Sequence, residues 1–295
     1  MDAMRTTAVA VGVLLLAGCG ATPPKPTGKL RVVTTIGVLA DWARQVGGDR
    51  VEVTSLLTGN ESPHTYEIKP ADVKSIADAR ILFRVGLGME DWLNPAIENS
   101  GNKKLVIIDV AAGATGVIAG DAHDRYGNPH IWLDPEYAKT GIENLVRELV
   151  RLDPKGESLY RAHEAAYFVQ LDSLSQAIGA QVASLADRRF ISFHDAWPYF
   201  CRRFGLEVVA TVEPIPGQEP SARDLARLVD LIRREHIRVV TTEPQLASAL
   251  PDMLAKETGV KVVVLNPLES GGGYIAALGR AAESLTAGLG ASIPR

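Results

Sequence analysis

Short apolar runs bounded by Gly, Pro, Asn and Asp recur along the chain. They predict strands at Leu30-Thr35, Val51-Leu57, Ile81-Val85, Leu105-Asp109, Phe190-Phe193, Glu207-Val212, Arg238-Thr242 and Lys261-Leu265. Between most of them, apolar positions return with helical spacing at Val38-Val46, Pro70-Ala77, Trp92-Asn99, Tyr137-Leu152, Ala196-Phe204, Ala222-Glu235 and Leu246-Glu257. Strands that alternate with helices build parallel βαβ units, so the pattern predicts an α/β protein. One stretch breaks the alternation. From Ser158 to about Ala186 there is no Pro and only one Gly, at 179, while Leu159, Ala166, Phe168, Leu171, Leu174, Ile178 and Val182 keep a helical period. Such a helix runs about 40 Å at 1.5 Å per residue, the width of a small domain. The chain therefore reads as two lobes, each a parallel-type sheet flanked by helices, joined by one long helix with a cleft between them. A single continuous helix as the hinge would limit opening and closing. No internal repeat is evident.

The N-terminal pattern is of another kind. Arg5 precedes the apolar run Ala8 to Ala17, which ends in Leu16-Ala17-Gly18-Cys19-Gly20. The run is too short to span roughly 30 Å of hydrocarbon and has the layout of a secretory signal. Small residues just before a cysteine resemble the bacterial lipobox, which implies cleavage after residue 18 and a lipid anchor on Cys19. Ala21 to Gly28, with three prolines and two threonines, reads as an extended tether. The expected divisions are a signal peptide 1–18, a tether 19–28, a first lobe 29–157, a linking helix 158–187 and a second lobe 188–295. Such a protein would work outside the cytoplasmic membrane, held to it as a lipoprotein.

Composition narrows the partners. The 295 residues are 46% hydrophobic and 22% charged, which fits folded domains with sizeable cores and excludes a disordered or collagen-like chain. Lys and Arg number 31 against 35 Asp and Glu, a net charge of -4. Removal of Asp2 and Arg5 with the signal leaves that balance unchanged, so there is no basic field for nucleic acid. With two cysteines, one of them in the lipobox, neither a disulfide framework nor a Cys-rich metal cluster can form. Cys201, beside Phe200 and Phe204, reads as buried and inert. Any metal must be held by His, Asp or Glu.

Three of the six histidines stand out by context. His64 lies in Asn60-Glu61-Ser62-Pro63-His64-Thr65-Tyr66-Glu67, beyond the second strand. His130 lies in Gly127-Asn128-Pro129-His130-Ile131-Trp132-Leu133-Asp134-Pro135, entering the helix before the long connector. His194 closes the strand Phe190-Phe193. In open α/β sheets ligands bind outside the carboxyl ends of the strands, which is where His64 and His194 fall, one in each lobe. Prolines before His64 and His130 stiffen the backbone that would aim them. Three neutral imidazoles suit Zn²⁺, and a fourth oxygen ligand would complete a tetrahedron. Glu243, ending the strand Arg238-Thr242, is the candidate, either projecting into the cleft or accepting hydrogen bonds from its own loop. His163, on the long helix, and His236, in an Arg-Arg-Glu-His run, read as solvated. His123, in Asp121-Ala122-His123-Asp124, reads as surface loop with at most a transient metal contact.

On these residues the chain resembles the zinc and manganese solute-binding proteins of bacterial ABC importers, the metal-receptor group with a rigid helical backbone. The segments that carry the likeness are Ser62 to Glu67, Asn128 to Pro135, Phe193-His194-Asp195-Ala196-Trp197-Pro198-Tyr199-Phe200 and Glu243-Pro244-Gln245, within Leu30 to about Leu285. The resemblance implies His64, His130 and His194 as metal ligands in the interlobe cleft. It also implies Zn²⁺ as the transported ligand, with Mn²⁺ second because many manganese receptors carry Glu at the third position. Many members place an Asp where this chain has Asn266, in Leu265-Asn266-Pro267-Leu268-Glu269-Ser270, which leaves Glu243, Asn266 or a water as the fourth ligand. The long His- and acid-rich loop of many zinc members is reduced here to Gly120 to Gly127, so scavenging by it should be slight. An ABC permease in the cytoplasmic membrane is the implied partner of a monomeric receptor that is not an enzyme. A zinc-dependent hydrolase is the alternative, because three His and an open position also make a catalytic zinc site. Neither a His-Glu-x-x-His helix nor a nucleophile elbow supports it. Some relatives are described as adhesins, which nothing in this sequence supports independently.

Overall fold

The computed structural model describes residues 28–120, 126–246, 248–268 and 271–290. The signal, Cys19, most of the tether and His123 lie outside the described residues. Eight strands fall where the apolar runs place them. β1 (Leu30–Thr34), β2 (Val51–Ser55), β3 (Ile81–Arg84) and β4 (Val106–Asp109) form one sheet in the order β2-β1-β3-β4. β5 (Arg189–Ser192), β6 (Glu207–Thr211), β7 (Val239–Thr242) and β8 (Lys261–Val264) form a second in the order β6-β5-β7-β8. Every pairing is parallel, with Leu30 opposite Val51 and Val239 opposite Lys261. The two sheets thus repeat one topology, and in each the first strand pairs on one side with the second and on the other with the third. Central strands are covered on both faces, so Ile81, Leu82 and Phe83 are all fully buried, whereas edge strand β2 alternates buried and exposed positions.

Nine described helices accompany them: α1 (Gly37–Gly47), α2 (Pro70–Asp78), α3 (Asn94–Asn99), α4 (Pro135–Leu152), α5 (Glu157–Ala183), α6 (Pro198–Phe204), α7 (Ala222–Glu235), α8 (Leu250–Thr258) and α9 (Tyr274–Gly290). Their starts carry the expected local chemistry. Asp134 caps α4 by accepting from the Glu136 amide, with Pro135 in the first turn, and Ser221 and Asp224 make a capping box on α7. Three starts differ from the sequence expectation. Residues 91–93 form a 3₁₀ turn before α3, α6 begins at Pro198 and not Ala196, and α8 begins at Leu250 and not Leu246. Proline explains the last two, since its fixed φ and missing N–H suit the first helical turn. Helix α9 was not predicted at all. Glycines 271, 272, 273, 279, 288 and 290 dilute its pattern, yet Tyr274, Ala277, Leu278, Ala281, Ala282, Leu285 and Leu289 bury one face.

The linking helix α5 has 27 residues, about 40 Å at the standard rise. It is buried along Tyr160, Tyr167, Leu171, Ile178 and Val182, a spacing of seven and four residues. Ala166, expected in that stripe, is exposed, and Tyr160 and Tyr167 fill the inner positions. Asp153 pins the start of α5, accepting from Arg50 Nε (2.5 Å), Arg50 Nη2 (2.7 Å) and the Tyr160 hydroxyl (2.7 Å). His163 is half-buried, its Nδ1 3.3 Å from the Val46 carbonyl, so the expectation that it is solvated does not hold. His236 is exposed at the left-handed C-cap of α7.

One continuous apolar core runs from Val32 and Trp42 in the first lobe through α5 to Leu285 and Leu289 in the second. Smaller clusters sit under the outer face of each sheet. Helices α1, α4, α5 and α9 therefore join the lobes through shared packing as well as through the chain. Cys201 is buried and burial pushes its thiol up, which leaves little thiolate. No helix among the described residues is long and apolar enough to cross a membrane.

Candidate metal centre

The carboxyl ends of the two sheets face one another, and the site lies between them. His64 stands in the loop after β2. Trp92 Nε1 donates to the Pro63 carbonyl (2.9 Å), and the Tyr66 hydroxyl donates to Asp72 (2.9 Å), so both sides of that loop are tied to the first lobe. His194 follows β5 by two residues, and Ser192 Oγ donates to its carbonyl at 2.7 Å.

His130 is set by its own neighbours. Asn128 Oδ1 accepts from the His130 amide (3.0 Å) and lies 3.1 Å from its Nδ1, while Asn128 Nδ2 donates to the Asp195 carbonyl (2.7 Å) and carboxylate (3.0 Å). Tyr199 of α6 donates to the Asn128 carbonyl at 2.7 Å. The ligand-bearing loop thus belongs to the first half of the sequence but is gripped by the second. Gly127 makes the turn possible. Its φ is +104°, and a Cβ there would lie 2.6 Å from Val117 Cγ1 and 2.9 Å from the Ile118 carbonyl oxygen. Behind the imidazole lies Trp132, its ring 5.2 Å from that of His130, with Nε1 donating to the Pro267 carbonyl (2.8 Å) and its own carbonyl accepting from Tyr274 (2.6 Å).

The three imidazoles meet. His64 Nε2 and His194 Nε2 each lie 3.1 Å from His130 Nε2, and the three form the metal-competent group found among the described residues. His130 and His194 are almost fully buried and His64 half-buried. Their other nitrogens fix the tautomers. Because Asn128 Nδ2 is committed to Asp195, its Oδ1 must accept the Nδ1 proton of His130. Glu243 Oε1, 2.7 Å from His194 Nδ1, likewise accepts a proton from that ring. The Nε2 lone pairs of His130 and His194 then face each other at hydrogen-bond distance with no proton between them. A cation bound between them would relieve that arrangement. A tetrahedral Zn²⁺ with bonds of about 2.0–2.1 Å sets its donors about 3.3 Å apart, close to the spacing found. Burial, and then the neighbouring His194 and His64, hold the His130 ring well below the ordinary imidazole range, so it stays neutral and able to donate its lone pair.

Glu243, the expected oxygen ligand, lines the same small cavity as the three imidazoles. It follows β7 and is 2% exposed, with its Oε1 2.7 Å from His194 Nδ1. A carboxylate so placed holds the ring in one orientation and one tautomer. Asn266 Oδ1 is also engaged, accepting from Gln245 Nε2 (2.8 Å) and the Leu268 amide (3.0 Å). Sequence reasoning gave no role to Asn128 or Trp132, although an Asn two residues before a His is the usual spacing for a side chain that folds back on the local backbone.

The corresponding positions in the first lobe are built otherwise. Glu90, buried after β3, accepts from Thr35 Oγ1 (2.8 Å) and from the Val85 (2.8 Å) and Gly86 (3.0 Å) amides. There a carboxylate locks loops together; in the second lobe a carboxylate orients an imidazole.

The fold and site define a two-lobed α/β protein with a histidine cluster between its lobes. The chain belongs to the family described as ZnuA, zinc-uptake complex component A, periplasmic, whose model matches residues 32–288. It is 28% identical over 277 residues to the high-affinity zinc uptake system protein ZnuA of Bacillus subtilis, covering 88% of this chain and 87% of the relative. It is 29% identical over 259 residues to the manganese-binding lipoprotein MntA of Halalkalibacterium halodurans, covering 86% and 85%. Among solved structures, that of a ZnuA deletion mutant with zinc bound superposes with a TM-score of 0.82 at 30% identity, covering 90% of this chain and 99% of that one.

Proposed function

We propose that this protein is the extracytoplasmic receptor of a metal ABC importer, capturing Zn²⁺ through His64, His130 and His194 and delivering it to a membrane permease. The observation that carries the reading is the meeting of three imidazole Nε2 atoms, two with their opposite nitrogens already committed to acceptors. Binding, not catalysis, is the task of such a site. Glu243 acts behind His194 as its orienting carboxylate. The nitrogen-rich donor set ranks Zn²⁺ above Mn²⁺, which lies low in the Irving–Williams order and prefers oxygen. Competition titration of the purified protein should therefore show Zn²⁺ displacing Mn²⁺. Protons compete for the same lone pairs, so affinity should fall on acidification, and because the His130 ring is held well below the ordinary imidazole range its share of that loss should set in only below about pH 6.5. Tight Mn²⁺ binding with weak Zn²⁺ binding would overturn the assignment.

Anchoring through Cys19 belongs to the same proposal, supported by the lipobox-like segment and by relatives named as lipoproteins. Cys19→Ser should move the protein from the membrane fraction to the soluble fraction with zinc binding unchanged. Retention of that variant in the membrane would refute the anchor.

A further inference from the structure

The fourth donor is the open question of a three-histidine site, and one side chain beside it carries an unexplained polar atom. Gln245 lines the same small cavity as His64, His130 and His194, a space of about 10 Å³, on the scale that one water or one small ion needs. Its amide nitrogen is fully committed, donating to the Gly59 carbonyl at 2.6 Å and to Asn266 Oδ1 at 2.8 Å. These two acceptors fix which end of the amide is which, because the oxygen in that place would meet two other oxygens. The remaining atom, Oε1, is buried and has no hydrogen-bond partner among the described residues. A buried carbonyl oxygen left unsatisfied costs about 1–3 kcal/mol, and the rest of the site leaves few such groups unpaired.

Resting on the zinc-receptor reading above, we infer that Gln245 Oε1 is the fourth donor to the bound ion. An amide oxygen is a hard, neutral donor that completes three imidazoles to a closed tetrahedron. Asn266 cannot take that place itself, since its Oδ1 already accepts from Gln245 and from the Leu268 amide. It acts one step back, holding the Gln245 amide nitrogen so that the oxygen is turned the other way. The Gly59 carbonyl does the same from the first lobe. Gln245 is thereby tied to both lobes, and His194 and Gln245 would bind the ion from the second half of the chain, His64 and His130 from the first. A neutral fourth donor sets no charge of its own against the cation's, a weaker hold than a direct carboxylate gives.

The test separates an amide oxygen from a water. A water bound to a divalent metal in a His₃ site loses a proton near pH 7, whereas an amide oxygen has none to lose. Co²⁺ bound in place of Zn²⁺ in the full chain should therefore show a visible spectrum that is constant from about pH 7 to 9. Gln245→Met, similar in size but without the oxygen, should admit water, so its Co²⁺ spectrum should acquire a pH-dependent transition while Zn²⁺ affinity falls roughly tenfold or more. A merely structural role for Gln245 would lower affinity without creating that transition. A wild-type Co²⁺ spectrum that already titrates overturns the inference whether or not the variant folds. So does a Gln245→Met spectrum that is constant and like that of the wild type. Failure of the wild type to bind Zn²⁺, or binding indifferent to His130→Ala, would instead sink the receptor reading itself.

Discussion

His130→Ala should reduce Zn²⁺ affinity by roughly a hundred- to a thousandfold, the largest single loss expected at this site. Zinc held by four protein ligands gains about 10–16 kcal/mol, or about 3 kcal/mol for each donor, and tenfold corresponds to about 1.4 kcal/mol. His130 ranks first because its Nε2 lies 3.1 Å from both other imidazoles and is the most deeply buried of the three. The free protein should respond in the opposite sense to usual intuition. Two lone pairs face each other there, so removing one costs the metal-free fold little. Urea unfolding without metal should shift only slightly, while the zinc-induced rise in melting temperature should disappear. Glu243→Gln should weaken binding less, by roughly tenfold, because an amide oxygen still accepts the His194 Nδ1 proton and only its charge is lost. Isothermal titrations of the two variants decide the order. A larger loss from Glu243→Gln would make that carboxylate a direct ligand.

Trp132→Ala should be the most destabilising change near the site, lowering the unfolding free energy by roughly 3–5 kcal/mol, the usual cost of truncating a fully buried Trp. The side chain is 0% exposed and bridges the lobes, packing behind His130 and donating to the Pro267 carbonyl across 135 residues of sequence. Trp132→Phe keeps most of that packing and loses one hydrogen bond, so it should cost only about 1 kcal/mol. Denaturant titration of both variants gives the comparison. If alanine costs no more than phenylalanine, the ring does not bear on the lobe interface.

Much of this was readable in the amino-acid sequence because the signals were local. Apolar runs such as Ile81-Leu82-Phe83 become central strands, and the long Pro-free stretch becomes α5. The histidine loops were legible for the same reason, each following a strand or preceding a helix. What escaped depended on pairing over long distance. Glu243 at the end of a strand was legible as a site residue, but its contact with His194 Nδ1 depends on a pairing 49 residues away in sequence. Asn128 is unremarkable until its amide is found between His130 and Asp195. Helix α9 was lost because half of its contact face is alanine and glycine, whose small side chains pack well but carry a weak hydrophobic signal.

That last helix has a consequence for how the molecule is made. α9 packs on α5 and reaches α1, the first described helix, and Tyr274 donates from its amide to Asp41 and from its hydroxyl to the Trp132 carbonyl. The last described helix therefore closes against the first. In a chain delivered from its N-terminus, His64 and His130 appear long before the helix that completes their surroundings. His194 follows them before α9 as well, so until α9 arrives the three imidazoles are present without the packing that Tyr274 supplies behind Trp132. Metal met at that stage would find its three nitrogen donors but not the packed surroundings that aim them.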